Sequence, residues 1–253
     1  MSAGPPSSPL LQLIDLRVAY GKVEVIRDVS LTVEPGQFVV LLGRNGAGKT
    51  TTLRAISGLI PKRAGQVIFT GADITRSSAR AILRSGLVQV LEGHRVFTSL
   101  SVEDNLLVSA FGSSQPGDAR ALQTIYSAFP EMAERRLQPA SRLSGGQQQI
   151  LAVAQGLIAK PRLLMLDEPS AGLAPLVVDR VLELAKALTK QGTAVLLVEQ
   201  LVEKALAYAN HCYVLDHGHI VGAGPPAELQ QSGTIQRAYL GVANRDPQSV
   251  ILS

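Results

Sequence analysis

The chain has 253 residues, 46% of them hydrophobic, which is enough apolar material to bury the core of one full domain. Its formal net charge is +4, but its Lys and Arg residues are scattered and aromatic residues make up only 4%, so the composition argues against a nucleic-acid partner. Cys212 is the only cysteine, which excludes an internal disulfide and is typical of a reducing compartment.

The beginning of the chain predicts a disordered lead-in over residues 1–10. This segment is rich in Ser, Pro and Gly and lacks the basic and apolar blocks of a secretion signal. The longest apolar stretches, at 38–42, 163–166 and 194–198, fall far short of the roughly 18 residues that a membrane helix needs. We therefore expect a cytoplasmic protein that does not itself span a membrane.

The next part of the chain predicts strands followed by a phosphate-binding loop. Residues 11–42 alternate short apolar and polar runs, with turn signals at Tyr20-Gly21 and Glu34-Pro35-Gly36. The loop that follows fits the pattern G-x-x-x-x-G-K-[ST] and opens a helix expected over about residues 49–59. It consists of Gly43, Arg44, Asn45, Gly46, Ala47, Gly48, Lys49 and Thr50, and Thr51 comes next.

A loop of this kind is typical of nucleoside triphosphate sites. Its backbone N–H groups surround phosphates, Lys49 neutralises the charge of the β- and γ-phosphates, and Thr50 can ligate Mg²⁺. The alternative is an ordinary glycine-rich turn, but the strand before it and the helix after it favour the phosphate site. The chain has no N-K-x-D segment for reading guanine, so we expect ATP rather than GTP.

The middle of the chain predicts one more strand and then a helical insert. Apolar residues at 67–69 continue the strands, with a turn at 71–73, and Ser101-x-x-Asp104 resembles a capping box at the start of a helix. A second apolar helical face follows a loop at 112–118. It consists of Ala121, Leu122, Ile125, Tyr126 and Phe129.

A second phosphate-binding device follows this insert. Segment 143–149 starts an amphipathic helix with the run Ser144, Gly145, Gly146 and Gln147. A helix N-terminus offers N–H groups and the positive end of the helix dipole, and two glycines let a polyanion approach the backbone. Two separate phosphate grips in one chain indicate that each closes on a nucleotide held by another chain.

Two carboxylates end the next buried strand. Asp167 and Glu168 follow the apolar run 163–166, which places them at the carboxyl edge of a sheet beside the phosphate loop. Asp167 would hold Mg²⁺, and Glu168 would orient and polarise the attacking water. The alternative is a solvated helix cap before Pro169-Ser170, but two acids after four apolar residues are costly without a cation nearby.

The last part of the chain predicts a helix opened by Pro175, a strand at 194–198 and a hairpin with His217-Gly218 at its tip. The alternation of strands and helices predicts an α/β fold with a parallel sheet. Segment 211–219 holds three histidines and the cysteine, but their spacing matches no Cys/His zinc pattern, so we expect no metal there.

Together, the phosphate loop, the serine-glycine-glycine-glutamine run and the Asp-Glu strand end resemble the motifs of ATP-binding-cassette (ABC) ATPases over residues 11–241. The resemblance implies a P-loop NTPase core with a RecA-like parallel sheet, an antiparallel β subdomain and an α-helical subdomain. It assigns 11–92 and 160–241 to the core with the β subdomain, 93–159 to the helical subdomain and 242–253 to a tail. It also implies that two ATPase chains sandwich two ATP molecules.

The resemblance assigns roles to further residues. It implies that Tyr20 stacks on adenine, whereas the residue alone indicates half-buried packing. Three positions depart from the family pattern: Glu92 replaces a glutamine, Ala174 an aspartate and Gln200 the switch histidine. Glu92 would lie beside Mg²⁺ and the γ-phosphate. The Gln200 amide can donate to the γ-phosphate but cannot become charged, so we expect slow turnover by the isolated chain.

Four segments resemble one of the two unlike ATPase subunits of branched-chain amino acid importers: Glu-Gly-x-Arg-Val-Phe at 92–97, Gly-Leu-Ala-Pro at 172–175, Leu-Val-Glu-Gln at 197–200 and Ala-Tyr-Leu-Gly at 238–241. This implies a second, unlike ATPase subunit, two transmembrane permease subunits and, indirectly, a solute-binding protein, at the inner face of the cell membrane. Urea or short amides are the alternative cargo. A soluble ABC ATPase of DNA repair or translation is one rival, disfavoured because this chain has a single cassette. A P-loop kinase is the other, disfavoured by the run Ser144-Gly145-Gly146-Gln147, which we call the signature run.

Overall fold

The computed structural model describes residues 8–91, 93, 96–111 and 119–240. Its strands are β1 (Leu11–Tyr20), β2 (Val23–Val33), β3 (Phe38–Leu42), β4 (Ala64–Phe69), β5 (Ala72–Asp73), β6 (Leu87–Val90), β7 (Leu163–Asp167), β8 (Ala194–Val198), β9 (His211–Asp216) and β10 (His219–Gly224). Its helices are α1 (Lys49–Ile56), α2 (Ala79–Arg84), α3 (Val102–Phe111), α4 (Ala119–Ala128), α5 (Pro130–Glu134), α6 (Gly145–Ile158), α7 (Pro175–Thr189), α8 (Val202–Tyr208), α9 (Pro226–Gln231) and α10 (Thr234–Leu240). Within these described ranges, no helix has both the length and the apolar character to cross a bilayer.

A six-stranded sheet in the order β10-β9-β3-β8-β7-β6 forms the centre of the molecule. The five strands from β9 to β6 run parallel, and β10 is an antiparallel edge strand. Every residue of β3, β7 and β8 is buried, as expected for strands that are covered on both faces. The predicted α/β fold with a parallel sheet is confirmed.

The two faces of β3 pack into different hydrophobic clusters. Phe38, Val40 and Leu42 belong to the cluster with α3, α6 and α7, whereas Val39 and Leu41 belong to the cluster with α1 and the second sheet. This second sheet is antiparallel, in the order β2-β1-β4-β5, and is the expected β layer. Because side chains alternate along a strand, β3 joins both clusters and anchors the loop that follows it.

Asn105 organises the entry into the helical insert. It is fully buried, and its amide donates to the carbonyl oxygens of Phe97 at 2.9 Å and Ser101 at 2.8 Å. The Ser101 hydroxyl accepts from the N–H of Asp104 at 3.0 Å, which confirms the predicted helix start. Gln155 on α6 donates to Asn105 Oδ1 at 3.2 Å. One buried amide therefore fixes this segment against α6, the helix that carries the signature run.

The structure differs from the sequence prediction at several elements between residues 49 and 90. The helix after the phosphate loop ends at Ile56 rather than near residue 59, because Gly58 adopts a left-handed φ of 70°. β4 begins at Ala64 rather than at residue 67, and residues 72–73 form β5 instead of a turn. β6 is not expected from the sequence, because Gln89 interrupts its apolar residues and leaves no continuous apolar run. The predicted loop at 112–118 lies outside the described residues.

Candidate active site

The phosphate loop between β3 and α1 is closed by its own lysine. Lys49 is the first residue of α1 and is only 5% exposed. Its Nζ donates to the carbonyl oxygens of Gly43 at 2.8 Å and Arg44 at 3.1 Å. The side chain therefore runs back across the loop and brings a positive charge into it.

Close packing requires glycine at two positions of this loop. At Gly43 a Cβ would lie 2.3 Å from the carbonyl oxygen of Leu215 on β9. At Gly48 it would lie 2.5 Å from Cδ1 of Ile26 on β2, and Gly48 also has a φ of 110°. The loop thus rests directly on two strands, which fixes its backbone conformation in advance of binding.

Thr50 and Asp167 bring two side-chain oxygen groups together from two different elements. Asp167 is the last residue of β7 and is 1% exposed. The Thr50 hydroxyl donates to Asp167 Oδ1 at 3.0 Å. Because hydroxyl and carboxylate oxygens are the ligands that Mg²⁺ prefers, the residues present fit this ion.

Glu168 leaves β7 in an uncommon conformation beside Lys49 and Gln200. Its φ is +48°, in the left-handed region that is costly for a residue with a side chain. Its Oε1 lies 3.8 Å from Lys49 Nζ, and its Oε2 accepts from Gln200 Nε2 at 2.6 Å. The Glu168 side chain is 14% exposed. The two predicted catalytic residues are thus adjacent, at the ends of the neighbouring strands β7 and β8.

A cavity of about 370 Å³ lies between these groups. Its lining residues are Tyr20, Val25, Asn45, Gly46, Gly48, Lys49, Thr50, Thr51, Glu168 and Gln200. The β1-β2 hairpin, the phosphate loop and the two strand ends therefore converge, although they are far apart in sequence. Tyr20 is 47% exposed, so its ring is accessible for stacking. Val25 is not predicted, because one apolar residue in a strand gives no signal of its own.

Three residues of the predicted phosphate loop do not line this cavity. Gly43 and Ala47 are buried, and Arg44 is exposed to solvent. The Gly43 and Arg44 carbonyls instead hold Lys49. These three residues therefore contribute to the shape of the loop rather than to the cavity wall.

The signature run lies apart from the cavity. Ser144 caps α6: its hydroxyl accepts from the N–H of Gln147 at 3.3 Å, while Gln147 Oε1 accepts from the N–H of Ser144 at 3.0 Å. Ser144 and Gly145 are exposed, and neither contributes to the cavity lining. This placement agrees with a phosphate grip that serves a nucleotide on another chain.

Ala174 and Glu92 are the other two positions that depart from the family pattern. Ala174 is the N-cap residue of α7 and gives that helix no side-chain cap, which an aspartate could supply. Glu92 lies outside the described residues, so its position beside Mg²⁺ stays a prediction. His217 and Gly218 form the turn between β9 and β10, as predicted.

Tyr239 contacts the phosphate loop, and sequence reasoning assigns it no role there. Its hydroxyl, on α10, accepts from the N–H of Gly43 at 3.2 Å. Burial raises the pKa of the Tyr239 phenol, so the group stays neutral at physiological pH. The only sequence signal is its place in the Ala-Tyr-Leu-Gly segment. Helix α10 thus supports the first residue of the phosphate loop.

We expect Tyr239→Phe to weaken ATP binding about three- to fivefold, because removing the hydroxyl costs one neutral hydrogen bond, on the order of 1 kcal/mol. The loss leaves the Gly43 N–H without its acceptor and loosens the loop. Nucleotide titration followed by fluorescence measures the change. Tyr208→Phe, on α8, is the matched control, and equal ATP affinities for both variants would exclude a role for Tyr239.

Comparisons with known proteins agree with this geometry. A family model described as ABC transporter matches residues 26–171. The chain is 38% identical over 222 residues to the high-affinity branched-chain amino acid transport ATP-binding protein BraG of Pseudomonas aeruginosa, covering 88% of this chain and 95% of BraG. It is 34% identical over 231 residues to the lipopolysaccharide export system ATP-binding protein LptB of Escherichia coli, covering 90% and 95%. A solved ATP-binding subunit of an ABC transporter, 24% identical, shares the fold with a TM-score of 0.82 over 92% of this chain and 98% of its own.

Proposed function

The chain belongs to the ABC transporter family as an ATP-binding subunit, and from this premise we propose that it powers the import of branched-chain amino acids. ABC ATPases bind ATP or ADP and couple ATP hydrolysis to transport. The observation that carries the ATPase part of this proposal is the convergence of Lys49, Thr50, Glu168 and Gln200 on one cavity.

We assign hydrolysis to side chains that are already in contact. Lys49 and the phosphate loop would bind the β- and γ-phosphates. Thr50 and Asp167 would hold Mg²⁺, which neutralises phosphate charge when bound. Glu168 would orient the water that attacks the γ-phosphorus and accept its proton, while ADP leaves with the electrons of the broken bond. The Gln200 amide holds the Glu168 carboxylate in place.

We propose that two chains form the complete site. Ser144, Gly145, Gly146 and Gln147 of one chain would close on the γ-phosphate of the ATP held by the other, and Tyr20 would stack on its adenine. The exposure of Ser144 and its absence from the lining of its own chain's cavity support this arrangement. The pair would lie on the inner face of the cell membrane, bound to two permease subunits and coupled through them to a solute-binding protein.

An apolar groove supports the permease contact. It has a volume of about 310 Å³ and runs between β6 and the helices α3 and α6. Phe97 and Val108 line it and are 53% and 44% exposed. Apolar side chains left in contact with water at the boundary of the insert fit a short amphipathic helix of a permease. Closure of the ATP sandwich would move such a helix together with the insert.

We propose further that this chain is one half of an unlike pair. The family resemblance implies that Glu92 would add negative charge near the γ-phosphate, and Gln200 cannot become cationic to offset it. The isolated chain would therefore hydrolyse ATP slowly. A sister ATPase and the permeases would raise the rate by closing the site.

Gln200→His should raise hydrolysis by the isolated chain about threefold or more, because histidine can carry charge and share a proton beside Glu168. Steady-state release of phosphate measures the effect. Gln191→His, at an exposed turn before β8, serves as the matched control. An unchanged rate for Gln200→His would mean that residue 200 does not limit turnover.

The proposed cargo rests on four sequence segments and on the likeness to one relative. The resemblance at 92–97, 172–175, 197–200 and 238–241 and the likeness to BraG favour branched-chain amino acids. The likeness to LptB, at 34% identity, makes lipid export the second candidate. Urea or short amides remain an alternative importer cargo.

Transport by reconstituted vesicles decides among these cargoes. The chain is assembled with a second ATPase and two permease subunits sought in the neighbouring reading frames, and ATP is supplied on its side of the membrane. Uptake of radiolabelled leucine, with no uptake of urea or acetamide, is the expected result. Uptake of an amide alone, or ATP-dependent extraction of lipopolysaccharide, would refute the amino-acid assignment.

A further inference from the structure

Glu199 is a buried carboxylate that the proposed mechanism does not use. It follows directly after β8 and is 1% exposed. A carboxylate removed from water needs several donors to replace its hydration. Glu199 lies between Val198 and Gln200, so its carboxylate needs hydrogen-bond donors from neighbouring segments of the chain.

The donors to Glu199 come from two loops of the active site. Its Oε1 accepts from the backbone N–H of Ser170 at 2.9 Å, and its Oε2 accepts from the Ser170 hydroxyl at 2.7 Å. The same Oε2 accepts from the N–H of Gln200 at 3.0 Å. One carboxylate thus ties the segment after Glu168 to the backbone of Gln200.

These contacts close a ring that includes the catalytic carboxylate. Gln200 donates to Glu168 at 2.6 Å, and Glu168 leads through Pro169 to Ser170 along the chain. Ser170 in turn donates to Glu199. Displacing any one member therefore shifts the Gln200 amide relative to the Glu168 oxygen that it holds.

The ring also touches the signature helix α6. Gln149, which is 1% exposed, donates through Nε2 to the carbonyl oxygen of Pro169 at 3.3 Å. Gly146 also lies next to this segment: a Cβ there would be 3.4 Å from the Gly172 carbonyl oxygen, an ordinary van der Waals contact. Helix α6 is therefore in direct contact with the segment that holds Ser170.

We propose that Glu199 is a positioning residue that couples the signature helix of this chain to its own catalytic glutamate through Ser170 and Gln200. The inference rests on the proposed function, in which Ser144 grips the nucleotide of the partner chain. Engagement of that nucleotide would move α6, and Glu199 would carry the movement to the Gln200 amide. Binding of the partner's ATP to the signature run would thereby change the position of the catalytic glutamate in this chain's own ATP site.

Glu199→Gln tests this link because it preserves shape but removes one acceptor. A carboxamide has a single acceptor oxygen, so either Ser170 or Gln200 would face an NH₂ group instead. We expect kcat for ATP hydrolysis to fall about tenfold or more while KM for ATP stays within about twofold, since the phosphate loop is untouched. Ser170→Ala removes only the hydroxyl bond and should lower kcat about threefold.

A double-mutant cycle of Glu199→Gln with Gln200→Ala distinguishes a positioning role for Glu199 from a general loss of structure. Once the Gln200 amide is absent, Glu199 has nothing to position, so Glu199→Gln should then lower kcat less than about twofold further. Glu203→Gln, an exposed glutamate on α8, is the control that should leave the rate unchanged. Melting curves of every variant accompany the kinetics.

Three results would overturn the coupling: additive losses in the double variant, a change in KM without a change in kcat, or unchanged kcat in both Glu199→Gln and Ser170→Ala. If Glu199→Gln does not fold, the cycle of Ser170→Ala with Gln200→Ala decides the question in the same way. A parent chain without any ATPase activity would contradict the proposed function, whereas an active parent with additive variants would contradict only the coupling.

Discussion

Glu168→Gln should lower the single-turnover rate of ATP hydrolysis by two or more orders of magnitude, on the order of 3 kcal/mol in the barrier. The amide has nearly the same shape as the carboxylate and can still accept from Gln200, but it cannot take a proton from water. The Lys49 contacts to the loop carbonyls do not involve Glu168, so ATP should bind about as well as to the parent.

Rapid-quench measurement of bound ATP and released phosphate follows this step directly. Glu183→Gln is a suitable control, because Glu183 is exposed on α7 and lies outside the cavity. Equal single-turnover rates for Glu168→Gln and the parent would remove Glu168 from the mechanism. A large loss of ATP affinity would instead show that the carboxylate matters for the shape of the site.

Ser144→Arg should abolish ATP-driven closure of two chains, while the isolated chain keeps its ATP affinity. The arginine would occupy the space that the partner's γ-phosphate needs, but Ser144 does not line the cavity of its own chain. Light scattering of chains in the Glu168→Gln background, with and without ATP, measures the closed pair.

Ser144→Arg has two effects that control variants distinguish: it removes the N-cap of α6, and it removes the contact to the partner's γ-phosphate. Ser144→Arg also removes the cap of α6, which costs on the order of 1 kcal/mol. Ser144→Asp retains a capping oxygen but brings a negative charge towards the phosphate, so it should block closure as well. Ser141→Arg, three residues earlier and exposed, should close like the parent. Full closure by both Ser144 variants would refute the sandwich.

The sequence predicts the parts of this site that are local. The pattern of residues 43–50 contains the glycines, the lysine and the threonine of one continuous loop, and the apolar run at 163–166 predicts a buried strand with two acids at its end. We expect this loop and these two acids to lie close together, because the carboxyl ends of parallel strands share one edge of a sheet. The structure brings Thr50 within 3.0 Å of Asp167, as this rule requires.

The rest of the site depends on contacts between distant parts of the chain. Tyr239 lies 196 residues from Gly43, and no local pattern indicates that its hydroxyl reaches the loop. Glu199 is part of a segment that resembles the family, but its burial and its bonds to Ser170 become visible only in three dimensions. The edge strand β6 is missed because Gln89 interrupts its apolar residues, so it lacks the continuous apolar run that marks β7.

The most direct test of the whole account is the ATPase rate of the complex reconstituted in membranes, measured with and without leucine-loaded solute-binding protein. The account predicts slow hydrolysis by the isolated chain, a faster rate with the sister ATPase and permeases, and a further increase with the loaded binding protein, because each partner favours closure of the site. An isolated chain that already hydrolyses ATP at full speed and is indifferent to every partner would contradict both the unlike pair and the importer assignment.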